Sequence, residues 1–417
     1  MKTITRIITP YRIWMLGLMS LIGIGALSGI LVLIQGLSLT NLSDLVPWGL
    51  WITIDLSSIA LAAGAFSLCA AVYILGLKKY EPVAKTATFV GIIGYSMAMM
   101  CLLLDIGRPD RFWHAFVYWN PHSVLWEVTM CVGLYFSVLL LEMLPIIGNT
   151  AWMKSIFPWL SARLVKVHRI APILAVAGLA FSMLHQSSLG ATYGVLKARP
   201  IWFRPGLSYL FIISAVLAGI SMTLLATMLA GRLSRRAKVN DRLIQSLAVF
   251  VGWGLLLYLY LRFWDTFSMT YTYLPGQSEG LWMLTSGTLA FNFWVGEIIL
   301  GILVPAILLV IKRLRVQPVI RMIAFAMVVG GLIAYRWDLN IVGQLVVTTY
   351  EPFNTAISYI SYFPSLVEIL AGLGIIAFGF FSFTIGVEYL NIVNHRQVHV
   401  HQEHQERTVQ PVVAPAD

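Results

Sequence analysis

Residues 86–106, TATFVGIIGYSMAMMCLLLDI, form an apolar run whose only charged residue, Asp105, stands near its end. A lipid hydrocarbon core roughly 30 Å thick is crossed by about 20 apolar residues of α-helix. The run therefore predicts a transmembrane helix that carries a carboxylate at one face of the membrane.

Nine other runs have the same character, and together they decide the fold class. The chain is predicted to be an all-α integral membrane protein with about ten transmembrane helices. The ninth run is the shortest, whereas the second, eighth and tenth are long enough to tilt or to project beyond the membrane. The expected spans are residues 13–36, 47–76, 86–106, 122–145, 168–190, 207–230, 243–262, 284–311, 319–336 and 363–390.

The composition agrees with a membrane protein and leaves no room for a separate soluble domain. Of the 417 residues, 59% are hydrophobic and 11% are charged, far from the averages of soluble domains. The net charge of +10 would suggest a nucleic-acid partner in a soluble protein, but here we attribute it to basic cytoplasmic loops. Cys69, Cys101 and Cys131 lie within apolar runs without CxxC spacing, so neither a metal site nor a disulfide framework is expected.

The distribution of lysine and arginine orients the spans. With the N-terminus inside, 21 of the 28 basic residues lie on the inner side and 7 on the outer side, which is the bias of the positive-inside rule. We therefore expect a multi-pass protein of the cell's inner (cytoplasmic) membrane with both termini cytoplasmic. Residues 395–417, which include several histidines, are expected to form a disordered cytoplasmic tail.

The outer face carries aromatic residues such as Trp113, Trp202 and Trp264, which favour the membrane interface. Two outer segments, 263–283 and 337–362, are too small for a catalytic domain but long enough to dock a partner protein. The second is rich in Tyr, Thr and Val, and we expect it to include a short strand or a surface helix.

Five ionisable residues fall close to the outer face when the spans are threaded through the bilayer: Asp55, Asp105, His122, Glu127 and His185. An ionisable residue inside a membrane is costly, so it marks a path for ions, protons or a ligand. Spans two to five, joined by short loops, would bring these residues together in an antiparallel bundle. The chemistry fits a quinone, which partitions into lipid and exchanges protons as well as electrons. Histidine titrates near neutral pH, and a partly buried carboxylate can be tuned towards it.

Each of these residues also has a structural interpretation. Asp105 could simply pair with Arg108 or Arg111, and His122 could be an interfacial residue at the start of a helix. For the other three a structural role is less favoured, because they lie deeper in the spans. Glu297, near the middle of the eighth span, is a weaker candidate for a proton path.

Two motifs resemble a known family. Asp105-Ile-Gly-Arg-Pro-Asp-Arg-Phe-Trp113, followed by Asn120-Pro-His-Ser-Val-Leu-Trp-Glu127, is similar to the NrfD/polysulfide reductase membrane-subunit (PsrC-like) family. The ten-span layout, His185-Gln-Ser-Ser-Leu-Gly190 and Arg336-Trp-Asp338-Leu-Asn340 resemble its longer branch, which includes the hydrogenase-2 membrane subunit and those of Dsr- and Qrc-type complexes. The resemblance covers most of the chain apart from the C-terminal tail.

The resemblance implies one transmembrane domain, residues 1–394, that contains two four-helix bundles. Helices 2–5, at about 47–190, would form the first bundle, and helices 6–9, at about 207–336, would form the second. Helices 1 and 10 would be peripheral. It implies a quinone, menaquinone or ubiquinone, near the outer face of the first bundle, and no haem or metal in this chain. An iron–sulfur electron-transfer subunit would dock there, with further catalytic or cytochrome subunits, in membrane lipid. Because the second bundle lacks a matching set of acids and histidines, we expect no second quinone site.

The expected function is therefore that of a quinone-reactive membrane subunit of a multi-subunit respiratory oxidoreductase, with associated proton transfer, rather than a stand-alone enzyme. The residues expected to be catalytic are Asp55, Glu127 and His185, and those expected to bind the quinone are Asp105, Arg108, His122 and again His185.

Three other classes of protein compete with this prediction. A secondary transporter, or a proton-translocating subunit without quinone chemistry, would also carry buried acids, but the cluster lies near the outer face rather than at the midplane. A di-haem cytochrome would need pairs of histidines within the membrane, and His185 is the only histidine well inside a span. A purely structural membrane anchor would not explain why the carboxylates of Asp55 and Glu127 lie within apolar spans.

Overall fold

The computed structural model describes residues 10–352, 354–390 and 392–394; the expected tail, 395–417, lies outside them. These residues contain ten helices long and apolar enough to cross a membrane, which confirms the predicted fold class. The helices are α1 (Pro10–Gln35), α2 (Leu50–Ile74), α3 (Lys78–Asp105), α4 (Val124–Gly148), α5 (Pro158–Gly194), α6 (Gly206–Leu233), α7 (Asp241–Thr270), α8 (Asn292–Val310), α9 (Pro318–Leu345) and α10 (Leu366–Tyr389).

Some transmembrane helices change between α-, π- and 3₁₀-helical geometry along their length. In α8 a π-helical stretch, Asn292–Leu303, precedes the α-helical Val304–Val310. Pro305 has no N–H to donate, so the α-helical hydrogen-bond ladder cannot continue through that position. Similar changes occur in α2 (α-helical Leu50–Ala62 and Gly64–Cys69, then π-helical Ala70–Ile74), α3 (3₁₀ Lys78–Tyr80, then Glu81–Asp105), α5 (Pro158–Lys166, 3₁₀ Val167–Ile170, then Ala171–Gly194) and α7 (Asp241–Phe267, then 3₁₀ Ser268–Thr270).

Three predicted boundaries are wrong, two of them for a common reason. Helix α7 continues to Thr270 and α9 continues to Leu345, so the starts of both predicted outer segments are helical. The eighth span begins only at Asn292, because Gln277–Thr285 is a separate short helix. Polar residues in α7 and α9 lower the hydropathy of segments that are nevertheless buried, and hydropathy alone assigns such segments to loops.

Helices α2–α5 form one four-helix bundle and α6–α9 form a second. In the first bundle α2 packs on α3, α3 on α4, α4 on α5, and α5 on the inner part of α2; α6–α9 close in the same way. We call the contact of α2 with α6 and α9 the seam between the bundles. Helices α1 and α10 are peripheral: they pack on each other, and α10 packs on α3.

Glycine pairs bring two of these contacts to backbone distance. At the seam, a Cβ added to Gly219 of α6 would overlap the backbone of Gly64 of α2. Between α1 and α10, a Cβ on Gly25 would overlap the backbone of Gly374. Helices in lipid associate through close packing of small residues, since lipid tails are as apolar as leucine. The seam and the peripheral pair are therefore fixed by direct backbone contact.

We call the end where α2 begins and α3 ends the outer end, following the orientation expected from the basic residues. Here strands β1 (Val346–Glu351) and β2 (Asn354–Tyr359) form an antiparallel hairpin in which Val346 pairs with Tyr359. The hairpin confirms the expectation of a short strand in this outer segment. The short helices outside the spans are Leu37–Leu39, Pro109–Arg111, His114–Val117, Ala151–Ile156, Gln277–Thr285 and Lys312–Arg315.

Candidate functional site

Asp55 lies on α2, about one and a half turns from Leu50 at 3.6 residues per turn. The residue is 3% exposed, and its Oδ1 atom has no hydrogen-bond partner among the described residues. A buried carboxylate without a partner is costly unless it is protonated or meets a ligand. The chain therefore leaves this oxygen open to an interaction from outside the protein.

His185 on α5 is 0% exposed, and its two ring nitrogens have different surroundings. Nδ1 is hydrogen-bonded to the hydroxyl of Tyr95 on α3 at 2.8 Å, whereas Nε2 has no partner within the described part of the chain. When the Tyr95 hydroxyl donates to Nδ1, Nε2 carries the ring hydrogen and can donate it. Tyr95 thus orients the imidazole, and in this tautomer Nε2 is the donor.

Glu127 stands in the first turn of α4, after the N-cap residue Ser123. Its Oε1 accepts a hydrogen bond from Oγ of Ser188 on α5 at 2.7 Å. Ser188 lies about one helical turn beyond His185, so this bond joins α4 to α5 beside the histidine. A carboxylate in the first turn of a helix is also favoured by the helix dipole.

Asp105, the last residue of α3, pairs with neither of the arginines that follow it. Arg108 instead binds Asp110 through Nε–Oδ1 at 3.1 Å and Nη2–Oδ2 at 3.0 Å, and this hydrogen bonding lowers the pKa of Asp110. Arg111 also approaches Asp110, at 3.9 Å. The ion-pair interpretation of Asp105 is therefore wrong, and its buried Oδ1 has no partner in the described residues. Arg108 and His122 are exposed between α3 and α4.

Asp55, Asp105 and His185 lie on α2, α3 and α5 in the outer part of the first bundle. Asp55 interacts electrostatically with Asp105 and with Tyr95, the tyrosine hydrogen-bonded to His185. We call these four residues the outer polar group. Sequence reasoning missed Tyr95, because a tyrosine within an apolar run gives no signal in charge or hydropathy.

Further polar side chains follow from the outer polar group towards the inner end of the bundle. The rings of Tyr95 and Tyr135 are 4.9 Å apart, and the hydroxyls of Tyr135 and Ser182 are buried without a hydrogen-bond partner among the described residues. Deeper in the bundle, Glu142 of α4 accepts a hydrogen bond from Thr88 of α3 at 3.4 Å. Among the other buried polar side chains of the first bundle, these residues form an interrupted series of groups able to exchange protons.

The second bundle contains buried acids that the sequence analysis did not anticipate. Arg262 of α7 contacts Glu297 of α8 through two hydrogen bonds, at 2.6 and 3.3 Å, and Asp265 at 2.7 Å. Asn292 donates to Oδ1 of Asp338 at 2.7 Å. Asp265 and Asp338 were not singled out from the sequence, because they fell in segments assigned to loops. Residues 206–345 contain no histidine, so the expectation that this bundle lacks a matching set of acids and histidines stays a prediction. Buried charges need partners of this kind, and most of these charges have theirs within the chain.

The outer polar group offers hydrogen-bonding atoms that suit an organic ligand. No cluster of three or more His, Cys, Asp or Glu side chains that could hold a metal occurs in the described ranges. Nε2 of His185 offers a hydrogen-bond donor, and Asp55 and Asp105 offer carboxyl groups that accept when ionised and donate when protonated. Such a set suits a molecule with carbonyl or hydroxyl oxygens that gains or loses protons.

A separate cavity of about 870 Å³ opens at the outer end beside the hairpin and α9. It is lined largely by aromatic and aliphatic side chains, including Trp282, Trp337 and Tyr362. None of the five ionisable residues singled out from the sequence lines it.

The chain resembles membrane subunits of several redox complexes along most of its length. It is 33% identical to the "Menaquinone reductase, integral membrane subunit" of Nitratidesulfovibrio vulgaris, over 92% of each chain. It is 25% identical to the "Hdr-like menaquinol oxidoreductase integral membrane subunit" of Archaeoglobus fulgidus, over 88% of this chain and 90% of the relative. It is 24% identical to the "Probable Ni/Fe-hydrogenase 2 b-type cytochrome subunit" of Escherichia coli, over 88% and 89%.

The family assignment rests on a match to the greater part of the chain. Residues 38–348 match the family described as "Polysulphide reductase, NrfD". This range runs from the segment before α2 to β1 and so includes both four-helix bundles and the outer polar group. The chain belongs to the NrfD family of polysulphide reductase membrane proteins.

Proposed function

We propose that this chain is the quinone-reactive integral membrane subunit of a multi-subunit respiratory oxidoreductase, and that the outer polar group is its quinone site. The observation that carries the proposal is the open Nε2 of His185, oriented by Tyr95, in the same buried group as the unpartnered Oδ1 of Asp55. Relatives named for menaquinone reduction and menaquinol oxidation support menaquinone as the quinone.

The residues of the site have distinct tasks in this proposal. A bound quinone supplies a carrier for two electrons and two protons. His185 holds a proton at Nε2 beside one oxygen of the ring, while Tyr95 keeps the imidazole in that tautomer. Asp55 and Asp105 hold or release a proton within the same buried group. Glu127 holds α4 against α5 through Ser188 and is a further proton acceptor.

The electron partner in this proposal is an iron–sulfur subunit that docks at the outer end. Buried redox groups exchange electrons only over short distances, so the partner must approach the end of the bundle where the site lies. The exposed loop between α3 and α4 supports this docking surface, because it presents Arg108, Phe112, Trp113 and Trp119. Relatives named as subunits of larger enzymes support further catalytic or cytochrome subunits.

Proton transfer along the first bundle is the second element of the proposal. The supporting side chains are Tyr95 and Tyr135, whose rings are 4.9 Å apart, and Glu142, which accepts a hydrogen bond from Thr88. We place the chain in the inner membrane with both termini on the cytoplasmic side, since 21 of the 28 basic residues then lie inside.

A binding measurement tests the quinone assignment directly. The intact complex is purified, its lipid-soluble quinones are extracted, and the amount per chain is determined by chromatography. Asp55→Leu and His185→Leu should reduce retained quinone, while Ser187→Ala should not, because the Ser187 hydroxyl bonds only within its own helix, to the Leu184 carbonyl at 2.8 Å. Absence of both retained quinone and quinone-linked electron transfer in the wild-type complex would refute the function.

A further inference from the structure

Asn340, the last residue of the Arg336–Asn340 motif, joins the second bundle to the first. It lies on α9 and is 0% exposed. Its Nδ2 donates to the backbone carbonyl of Trp48 at 2.9 Å and of Gly49 at 3.1 Å, and lies 3.3 Å from Oγ1 of Thr53. Its Oδ1 accepts from the hydroxyl of Tyr193 at 3.0 Å. One side-chain amide thus bonds to both α2 and α5.

Gln344, one turn further along α9, holds the same start of α2. Its Oε1 accepts from the backbone N–H of Trp48 at 2.9 Å, and its Nε2 donates to the Trp48 carbonyl at 2.7 Å. Residues four apart lie on one face of a helix, so both amides point at the same segment. The Trp48 ring stacks on Trp202, with centroids 5.7 Å apart, and Trp202 donates to the Leu339 carbonyl at 2.6 Å.

These contacts are made on the two helices that carry Asp55 and His185. Thr53 precedes Asp55 by two residues on α2. Tyr193 follows His185 by about two helical turns on α5. Because each contact is buried and fully hydrogen-bonded, a shift of Asn340 would move both helices, and the spacing of the two site residues depends on it.

We propose that Asn340 is a positioning residue for quinone chemistry: it sets the distance between Asp55 on α2 and His185 on α5 from the neighbouring bundle. The inference rests on the proposed function of the outer polar group. Asn340 acts through the backbone of α2 and the Tyr193 hydroxyl, not through the ligand. Misplacing reacting groups by about 1 Å costs up to about 100-fold in rate, so loss of this amide should reduce kcat/KM for quinone by about 10- to 100-fold.

The test compares Asn340→Leu with a matched variant, Asn292→Leu, in the assembled complex. Asn292 is also an amide that bonds to α9, to Asp338 at 2.7 Å and to the Ala334 carbonyl at 3.2 Å, but no bond links it to α2 or α5. Both variants should lower the Tm. Only Asn340→Leu should change kcat and KM for a soluble quinone analogue, whereas Asn292→Leu should keep both near the wild-type values.

Tyr193→Phe keeps the experiment decisive if Asn340→Leu fails to assemble. It removes only the hydroxyl that Asn340 accepts from, and it should reduce kcat/KM in the same direction by a smaller factor. Wild-type kinetics in Tyr193→Phe, or equal kinetic losses in Asn340→Leu and Asn292→Leu, would overturn the positioning role. A wild-type complex without quinone turnover would instead remove the proposed function and, with it, this inference.

Discussion

Removing proton exchange at the outer polar group without changing its shape is the strongest test of the site. Asp55→Asn keeps the side-chain volume and removes the charge. His185→Gln is preferable to alanine, because the Tyr95 hydroxyl now bonded to Nδ1 at 2.8 Å would otherwise be left buried and unpaired, at a cost of about 1–3 kcal/mol. Both variants therefore change titration more than packing.

The expected loss is large because each variant removes a group that is assigned to proton exchange with the quinone. A single positioned acid or base contributes about 10²–10⁴-fold to a rate, which corresponds to about 3–5 kcal/mol of activation free energy at 1.36 kcal/mol per tenfold. Quinone-linked electron transfer is measured in membranes in which the complex is shown by native gel to be intact. We expect kcat to fall by that factor in both variants.

Ser187→Ala on the same helix is the matched control, since its hydroxyl bonds only to the Leu184 carbonyl. It should turn over like the wild type. Near-normal kcat in both Asp55→Asn and His185→Gln would refute the assignment of these residues to proton exchange and would leave Glu127 and His122 as the candidates.

Three further outcomes are expected. A pyridine haemochrome spectrum of the isolated chain should show no stoichiometric b-type haem, because His185 is the only histidine well inside a span; a stoichiometric signal would contradict this. Photo-cross-linkers placed at Arg111 and Trp113 should label the iron–sulfur subunit, and labelling only from the basic inner loops would reverse the orientation. Arg262→Leu should lower assembly and Tm, since breaking a buried ion pair costs about 3–5 kcal/mol. Replacing Glu297 as well, by Leu, should restore much of this stability, and an equally unstable double variant would disprove the pairing argument.

The transmembrane spans were the feature best predicted from the sequence, because hydropathy measures them directly. Ten long apolar runs are hard to reconcile with any other fold class, and all ten spans are present. Asp55 and His185 stood out because a single ionisable residue in an apolar run is rare. One family motif, His185–Gly190, begins at this histidine, and residues 38–348 match that family.

The side-chain contacts between helices could not be predicted from the sequence. Tyr95 has no signal of its own, and only the fold shows that it bonds to His185 at 2.8 Å. Asp338 and Asn340 suggested a loop, because hydropathy treats every polar residue as solvent-exposed; in the structure both are fully buried and bonded within the protein. Arg108 appeared to be the natural partner of Asp105, but the turn after α3 brings it to Asp110 instead.

The glycine contact at the seam bears on how the two bundles can move. A transporter that works by alternating access rocks one half of the protein against the other. Here Gly219 and Gly64 leave no space for even a methyl group between α6 and α2, and rocking would have to separate two backbones in direct contact. The seam therefore favours a static scaffold, in which electrons and protons move while the helices stay in place.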